Sequence, residues 1–220
     1  MIRLRYSFAL VLLICIALSI FGLTQKSTFT DIAHDENYMQ SLYVAEITEE
    51  IAELECEMLA RELPNCAYIL KVKAVGTVDY LYEDGRQQVE VVEVFSGDNI
   101  AVGDIVYLTS PRWGLDLYDD LKSVERGFVN ILKDDYEYLV FCTSLIKSAD
   151  NHLPTYQLFN ESYISPVFCY AELNNIIVEP GDYGTYVPYA QVKDNEFFAA
   201  SNGALEKWKA LKEAMISKYE

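Results

Sequence analysis

From Val89 to Leu108 the chain reads VEVVEVFSGDNIAVGDIVYL, two strand-like runs separated by turn-forming residues. Val89, Val91, Val94 and Phe95 are β-branched or aromatic, and Glu90 and Glu93 interrupt them with charges that seek water. The pattern predicts a strand with one wet face and one buried face. Ser96 to Asn99 and Gly103-Asp104 tolerate turn dihedrals, so the chain is expected to bend there and enter a second strand at Ile105 to Leu108. Upstream, Tyr68 to Tyr82 alternates over Lys71, Val72, Lys73 and Ala74. Glu83-Asp84-Gly85 supplies a hairpin turn into the Val89 strand. Three consecutive strands with glycine-marked bends predict a curled meander.

Helical periodicity brackets these strands. Between Ser41 and Leu63, Ile47, Ile51, Leu54 and Met58 fall on one side of a helix, and Ala45, Ala52, Cys56, Leu59 and Leu63 on the opposite side. A glutamate stripe lies between the two, and Pro64 ends the pattern. At the other end, Leu205, Trp208, Leu211 and Met215 predict a helix over 201–219, capped by Ser201 or Asn202. Further strands are expected at Tyr136 to Leu145, Tyr156 to Phe159, Val167 to Tyr170 and Tyr186 to Val192, with Pro188 marking an edge. Thr109 to Lys133 reads as a long loop with one short helical turn. The fold class that follows is mainly β with flanking helices, a small curled barrel over 66–192.

The N-terminus changes the picture of where this fold works. Arg3 and Arg5 precede an uncharged run from Tyr6 to Leu23, of the length a helix needs to cross the hydrocarbon core. The positive flank orients its start to the cytoplasm and exports the remainder. Residues 1–24 are thus expected to be a signal-anchor or transmembrane helix, 25–40 a stalk, and 41–220 an extracytoplasmic domain. A cleaved signal ending near Ala17-Leu18-Ser19 is the alternative, and the domain is then secreted. Cys15 has Ile14 before it, where a lipoprotein signal wants a small residue.

Charge narrows the partners. Past Leu23 the chain holds 15 Lys and Arg against 34 Asp and Glu, a net charge of −19. That field repels phosphate backbones and excludes nucleic acid as a partner. It suits solubility, cationic partners or divalent ions.

The run Cys66 to Val72, then Val89 to Asp98, then Val102-Gly103-Asp104, resembles the first three strands of OB-fold domains of the netrin and tissue-metalloproteinase-inhibitor type. It is also similar to the pattern of many bacterial envelope proteins. The resemblance covers about residues 66–145 and implies an OB-like barrel with a binding surface at its loops. Inhibitors of that type place an amino-terminal Cys on the target's zinc. No Cys begins the mature chain here, so that activity is not implied.

The exported context gives Cys56, Cys66, Cys142 and Cys169 two readings, disulfides or reduced core thiols. Three complete pairings are possible, of which Cys56 with Cys66 and Cys142 with Cys169 are the most local. Cys-x-x-Cys spacing is absent, His34 and His152 are the only histidines, and no catalytic motif occurs, so no metal, cofactor or catalytic residue is assigned. One cluster stands out in the Thr109 to Lys133 stretch: Arg112, Trp113, Asp116, Tyr118, Asp119 and Asp120 combine flat aromatic faces with charge, as a glycan or ion site does. Alternatively Trp113, Leu115 and Leu117 tuck under the barrel and the aspartates face water. The expected function is a non-catalytic, membrane-anchored module that binds an envelope protein or glycan. Its rival is an envelope-polymer hydrolase using Asp116, Asp119 or Asp120.

Overall fold

The computed structural model describes residues 14–22, 36–81, 84–117, 120–147 and 152–220. The chain divides into two compact units, Met1–Asp35 and Glu36–Glu220. In the first, residues 14–22 form a helix (α1) with exposed side chains. The rest of the apolar run and most of the expected stalk lie outside the described residues. Among the described residues no helix is long and apolar enough to cross a membrane.

The second unit is mainly β with several helices. Its elements are α2 (Glu36–Gln40), β1 (Tyr43–Ala45), α3 (Glu49–Glu62), β2 (Tyr68–Leu81), β3 (Asp84–Ser96), β4 (Ile105–Asp116), β5 (Ser123–Arg126), β6 (Glu137–Ile146), β7 (Thr155–Leu158), β8 (Val167–Cys169), β9 (Tyr186–Pro188), α4 (Tyr189–Val192) and α5 (Asn202–Lys218). The nine strands join one sheet in the order β3-β2-β6-β7-β4-β5-β1-β9, with β8 added to β6. Because β3 also pairs with β4, five strands return on themselves as a ring, β2-β3-β4-β7-β6. All contacts in the ring are antiparallel except β4 with β7.

Alternation along the strands builds two cores at once. Leu70, Val72, Val89, Val91, Val106, Leu108, Val140 and Cys142 belong to one cluster shared by the ring strands. Ile69, Leu139 and Phe141 take the other face and pack against α3 and α5. There Ala52, Cys56 and Leu59 of α3 meet Ala204, Leu205, Trp208, Leu211 and Met215 of α5, and Phe197 lies 4.3 Å from Trp208 between ring centroids. Ser201 caps α5 by accepting from the Ala204 amide at 3.1 Å. A third cluster gathers Leu42, Val44, Leu115, Val124, Val187 and Phe198 around β1, β5 and β9.

Two expectations about local structure are corrected. The helix read from Ser41 begins at Glu49, because Tyr43–Ala45 is a strand that pairs with Tyr186–Pro188 and touches β5 at Ser123. Of the two apolar sides expected on that helix, the one with Ala52, Cys56, Leu59 and Leu63 is buried, whereas on the other Ile51 and Leu54 are exposed, Met58 is half-buried and Ile47, buried, precedes the helix. The loop read over Thr109 to Lys133 contains the second half of β4 and all of β5. Strand β4 pairs with β3 continuously up to Thr109, then kinks and pairs with β5 from Trp113 to Asp116, while Gly114 meets β3 once more at Asp84 across a register shift. At the kink Pro111 and Arg112 are both exposed, breaking the in-out alternation that Val106, Leu108, Trp113 and Leu115 otherwise keep. Pro111 has no amide hydrogen for a ladder, and that is why a strand can turn a corner there.

Candidate functional site

The corner of β4 brings the most unusual group of the domain to a cavity. Trp113 and Arg126 are directly opposite in the β4–β5 ladder. Cross-strand neighbours share a face, and the Arg126 guanidinium lies over the Trp113 ring at 3.6 Å from its centroid. Trp113 is held in place by donating its indole N–H to the Ser165 hydroxyl at 3.0 Å. Ser165 in turn donates its amide to the Gly127 carbonyl at 2.9 Å. Directly after Arg126, Gly127 and Phe128 adopt φ of +58° and +63°. Glycine takes the first of these without strain, and a Cβ there would also meet the Ser165 side chain and stand 2.9 Å from its backbone nitrogen.

Arg126 is 2 % exposed and forms no ion pair among the described residues. Its Nη2 donates to the Gln87 Oε1 at 3.4 Å, and its Nε and Nη1 have no hydrogen-bond partner among the described residues. The other buried arginine, Arg86, shows the usual solution: it donates to Asp79 at 2.7 Å and covers the Tyr107 ring. Glu125, next to Arg126 in sequence, turns elsewhere and accepts from the Ser123 hydroxyl at 2.6 Å and the Tyr186 hydroxyl at 3.4 Å. Burial lowers the Arg126 guanidinium to about 10, while Tyr80, Tyr189 and Tyr138 oppose the shift. It therefore remains a cation at neutral pH. A buried charge without a counter-charge costs several kcal/mol, and such groups concentrate at functional sites.

Arg126 lines a cavity of about 240 Å³ together with Arg112, Glu125, Val124, Phe128 and Phe198, closed by Ala45, Pro111, Gly127 and Tyr163. Arg112 is exposed at the kink and lies over the Tyr163 ring at 4.8 Å. The cavity thus offers two guanidiniums, aromatic faces and an apolar floor, with one carboxylate at Glu125. This is the donor set of an anion site with an apolar wall.

The cluster expected from sequence is only partly assembled here. Arg112 lines the cavity, and Trp113 is buried beneath Arg126 as its stacking surface. Asp116 ends β4 opposite Ser123, and Asp120 is exposed in the turn before β5; neither lines the cavity. Tyr118 and Asp119 lie outside the described residues. Arg126 was not among the expected residues, because an arginine in a mixed-charge run carries no signal until its missing partner is seen in three dimensions. Among the described residues, no group of three or more His, Cys, Asp or Glu is placed to hold a metal ion.

Cys56, Cys66, Cys142 and Cys169 are all buried free thiols. Burial pushes Cys56 and Cys169 up to about 11 and Cys66 up to about 12. The pairing of Cys142 with Cys169 does not fit the register. Cys169 is opposite Tyr138, so Cys142 stands four positions along β6 from it, roughly 13 Å away by the rise of an antiparallel strand, against 4.4–6.8 Å between the Cα atoms of a disulfide. The nearer neighbour of Cys142 is Cys66, whose thiol adds to burial in raising it. No protein-family model matches the chain, and no curated protein matches it in sequence.

Proposed function

We propose that the chain is a membrane-anchored extracytoplasmic binding module, built on an OB-like barrel, that takes its ligand at the Arg112–Arg126 cavity. The observation that carries the binding role is the buried Arg126 guanidinium, which lines the cavity and, among the described residues, has two nitrogens without hydrogen-bond partners and no ion pair, the one lining acid, Glu125, being engaged by Ser123 and Tyr186. An anion from outside supplies what the fold omits. The strand order supports the barrel reading: β2, β3 and β4 form a meander, β6 returns beside β2, and β7 closes the ring between β6 and β4. A five-stranded Greek-key barrel of the OB type has this arrangement. The anchor is supported by Arg3, Arg5 and the uncharged run to Leu23.

The test is capture from a detergent-solubilised native envelope by the immobilised full-length chain, compared with its Arg112→Glu variant. Arg112 is exposed, so the variant is expected to fold. Bound material identified by mass spectrometry should be retained by the wild type and lost at least tenfold on charge reversal. Equal retention by both proteins would show that the cavity is not where the module binds.

A further inference from the structure

The ligand class follows from the same cavity, and rests on its being a binding site: we infer that it takes a small organic monocarboxylate with an apolar body. Arg126 lines the cavity with its buried Nε and Nη1 lacking hydrogen-bond partners among the described residues, and Arg112 adds a second guanidinium at the exposed side. Guanidinium groups recognise carboxylates and phosphates alike, so the remaining lining has to decide between them. Glu125 lines the cavity as a carboxylate held by Ser123 and Tyr186. Its negative charge leaves one net positive charge over the three charged lining groups, Arg112, Glu125 and Arg126, which balances a monoanion and disfavours a dianion. The surrounding field of a chain with net charge −17 weighs in the same direction.

Apart from Tyr163 and the Gly127 backbone, the rest of the wall is apolar. Pro111, Val124, Phe128 and Phe198 offer carbon surface and no donors for the peripheral oxygens of a phosphate. Such a wall rewards a ligand that carries a hydrocarbon group beside its charge. At about 240 Å³ the cavity is smaller than the ~300–1,000 Å³ of drug-sized sites, so the apolar part is the size of one ring or a short chain. Trp113, fixed by Ser165, backs the Arg126 guanidinium at 3.6 Å, so the group is positioned before a ligand arrives.

The experiment is calorimetric titration of the full-length chain in detergent with three probes: phenylacetate, 2-phenylethanol and inorganic phosphate. Phenylacetate should bind saturably and at least tenfold more tightly than either of the others. Arg112→Gln should weaken it about tenfold or more, the factor expected for losing one charge-assisted hydrogen bond. Arg126→Met should abolish it, with a melting temperature no lower than wild type as evidence that this variant folds. Tighter binding of phosphate, equal binding of the alcohol, an unchanged affinity in Arg112→Gln, or no binding of phenylacetate would each overturn the assignment. Loss of the ligand class alone leaves Arg112-dependent envelope capture intact, whereas loss of the binding site removes both signals.

Discussion

Replacing Lys212 with methionine is expected to destabilise the folded unit by roughly 3–5 kcal/mol, the cost of leaving one member of a buried ion pair alone. The Lys212 ammonium donates to the Glu196 Oε2 at 2.6 Å and to the Ala171 carbonyl at 2.9 Å. Glu196 Oε1 accepts from the Cys169 amide at 2.8 Å, and the two side chains are 13 % and 6 % exposed. One carboxylate thus ties the end of β8 to α5, the helix whose Trp208 fills the outer core. Burial raises the Glu196 carboxyl, and Lys212 is the main group opposing that rise. Without Lys212 the carboxylate keeps only its backbone donor in a dry site. For a unit of this size the loss corresponds to roughly 6–20 °C in Tm. The double variant Glu196→Gln with Lys212→Met, which keeps an acceptor for Cys169 and removes the charge, should recover most of it. Urea unfolding followed by tryptophan fluorescence reads both, and a single-variant loss below about 1 kcal/mol would mean that the pair is solvated rather than structural.

The second large effect is on pH. Glu46 is 2 % exposed, neither of its carboxylate oxygens has a hydrogen-bond partner among the described residues, and burial raises its carboxyl from the usual 4.5 to about 7. The folded state therefore holds a proton that the unfolded chain releases. Its stabilising contribution is fully present below about pH 4.5 and is lost as pH rises through about 7. The difference between those two values sets a ceiling of about 3 kcal/mol at 1.36 kcal/mol per pH unit. Glu46→Gln removes the titration. Relative to that variant, the wild type should lose up to about 3 kcal/mol between pH 4.5 and 8, measured by urea midpoints across the range. Comparison with the variant cancels the other 33 of the 34 acidic residues. Parallel profiles for the two proteins would place the Glu46 carboxyl in water.

Periodicity made legible those elements that bury a single face against a core. Helix α5 is one, since Leu205, Trp208, Leu211 and Met215 recur at helical spacing behind a serine cap and are all buried. Strands β2 and β3 are others, where lysines and glutamates mark the wet side. The misread segments are those whose partners are far away in sequence. Tyr43–Ala45 has no strand-like neighbourhood of its own and becomes a strand by pairing with residues some 140 positions on. The second half of β4 was hidden by Pro111 and Gly114, which read as loop formers until the kink gives them a place.

The candidate site was legible at one end only. Arg112 and Trp113 stood out as a charged residue beside a flat aromatic, but the roles turn out unequal: Trp113 is a buried platform and Arg112 an exposed rim. The aspartates drew notice by composition and do not line the cavity. Arg126 matters because it has no ion-pair partner among the described residues, and the absence of a contact has no sequence pattern.

A ligand from the envelope reaches the Arg126 cavity only if the unit from Glu36 onward stands outside the cytoplasm. External protease added to intact cells producing the full chain measures this directly. Removal of the 36–220 unit from whole cells, with a cytoplasmic marker untouched, is the predicted result. Protection of the unit until the cells are lysed would contradict it.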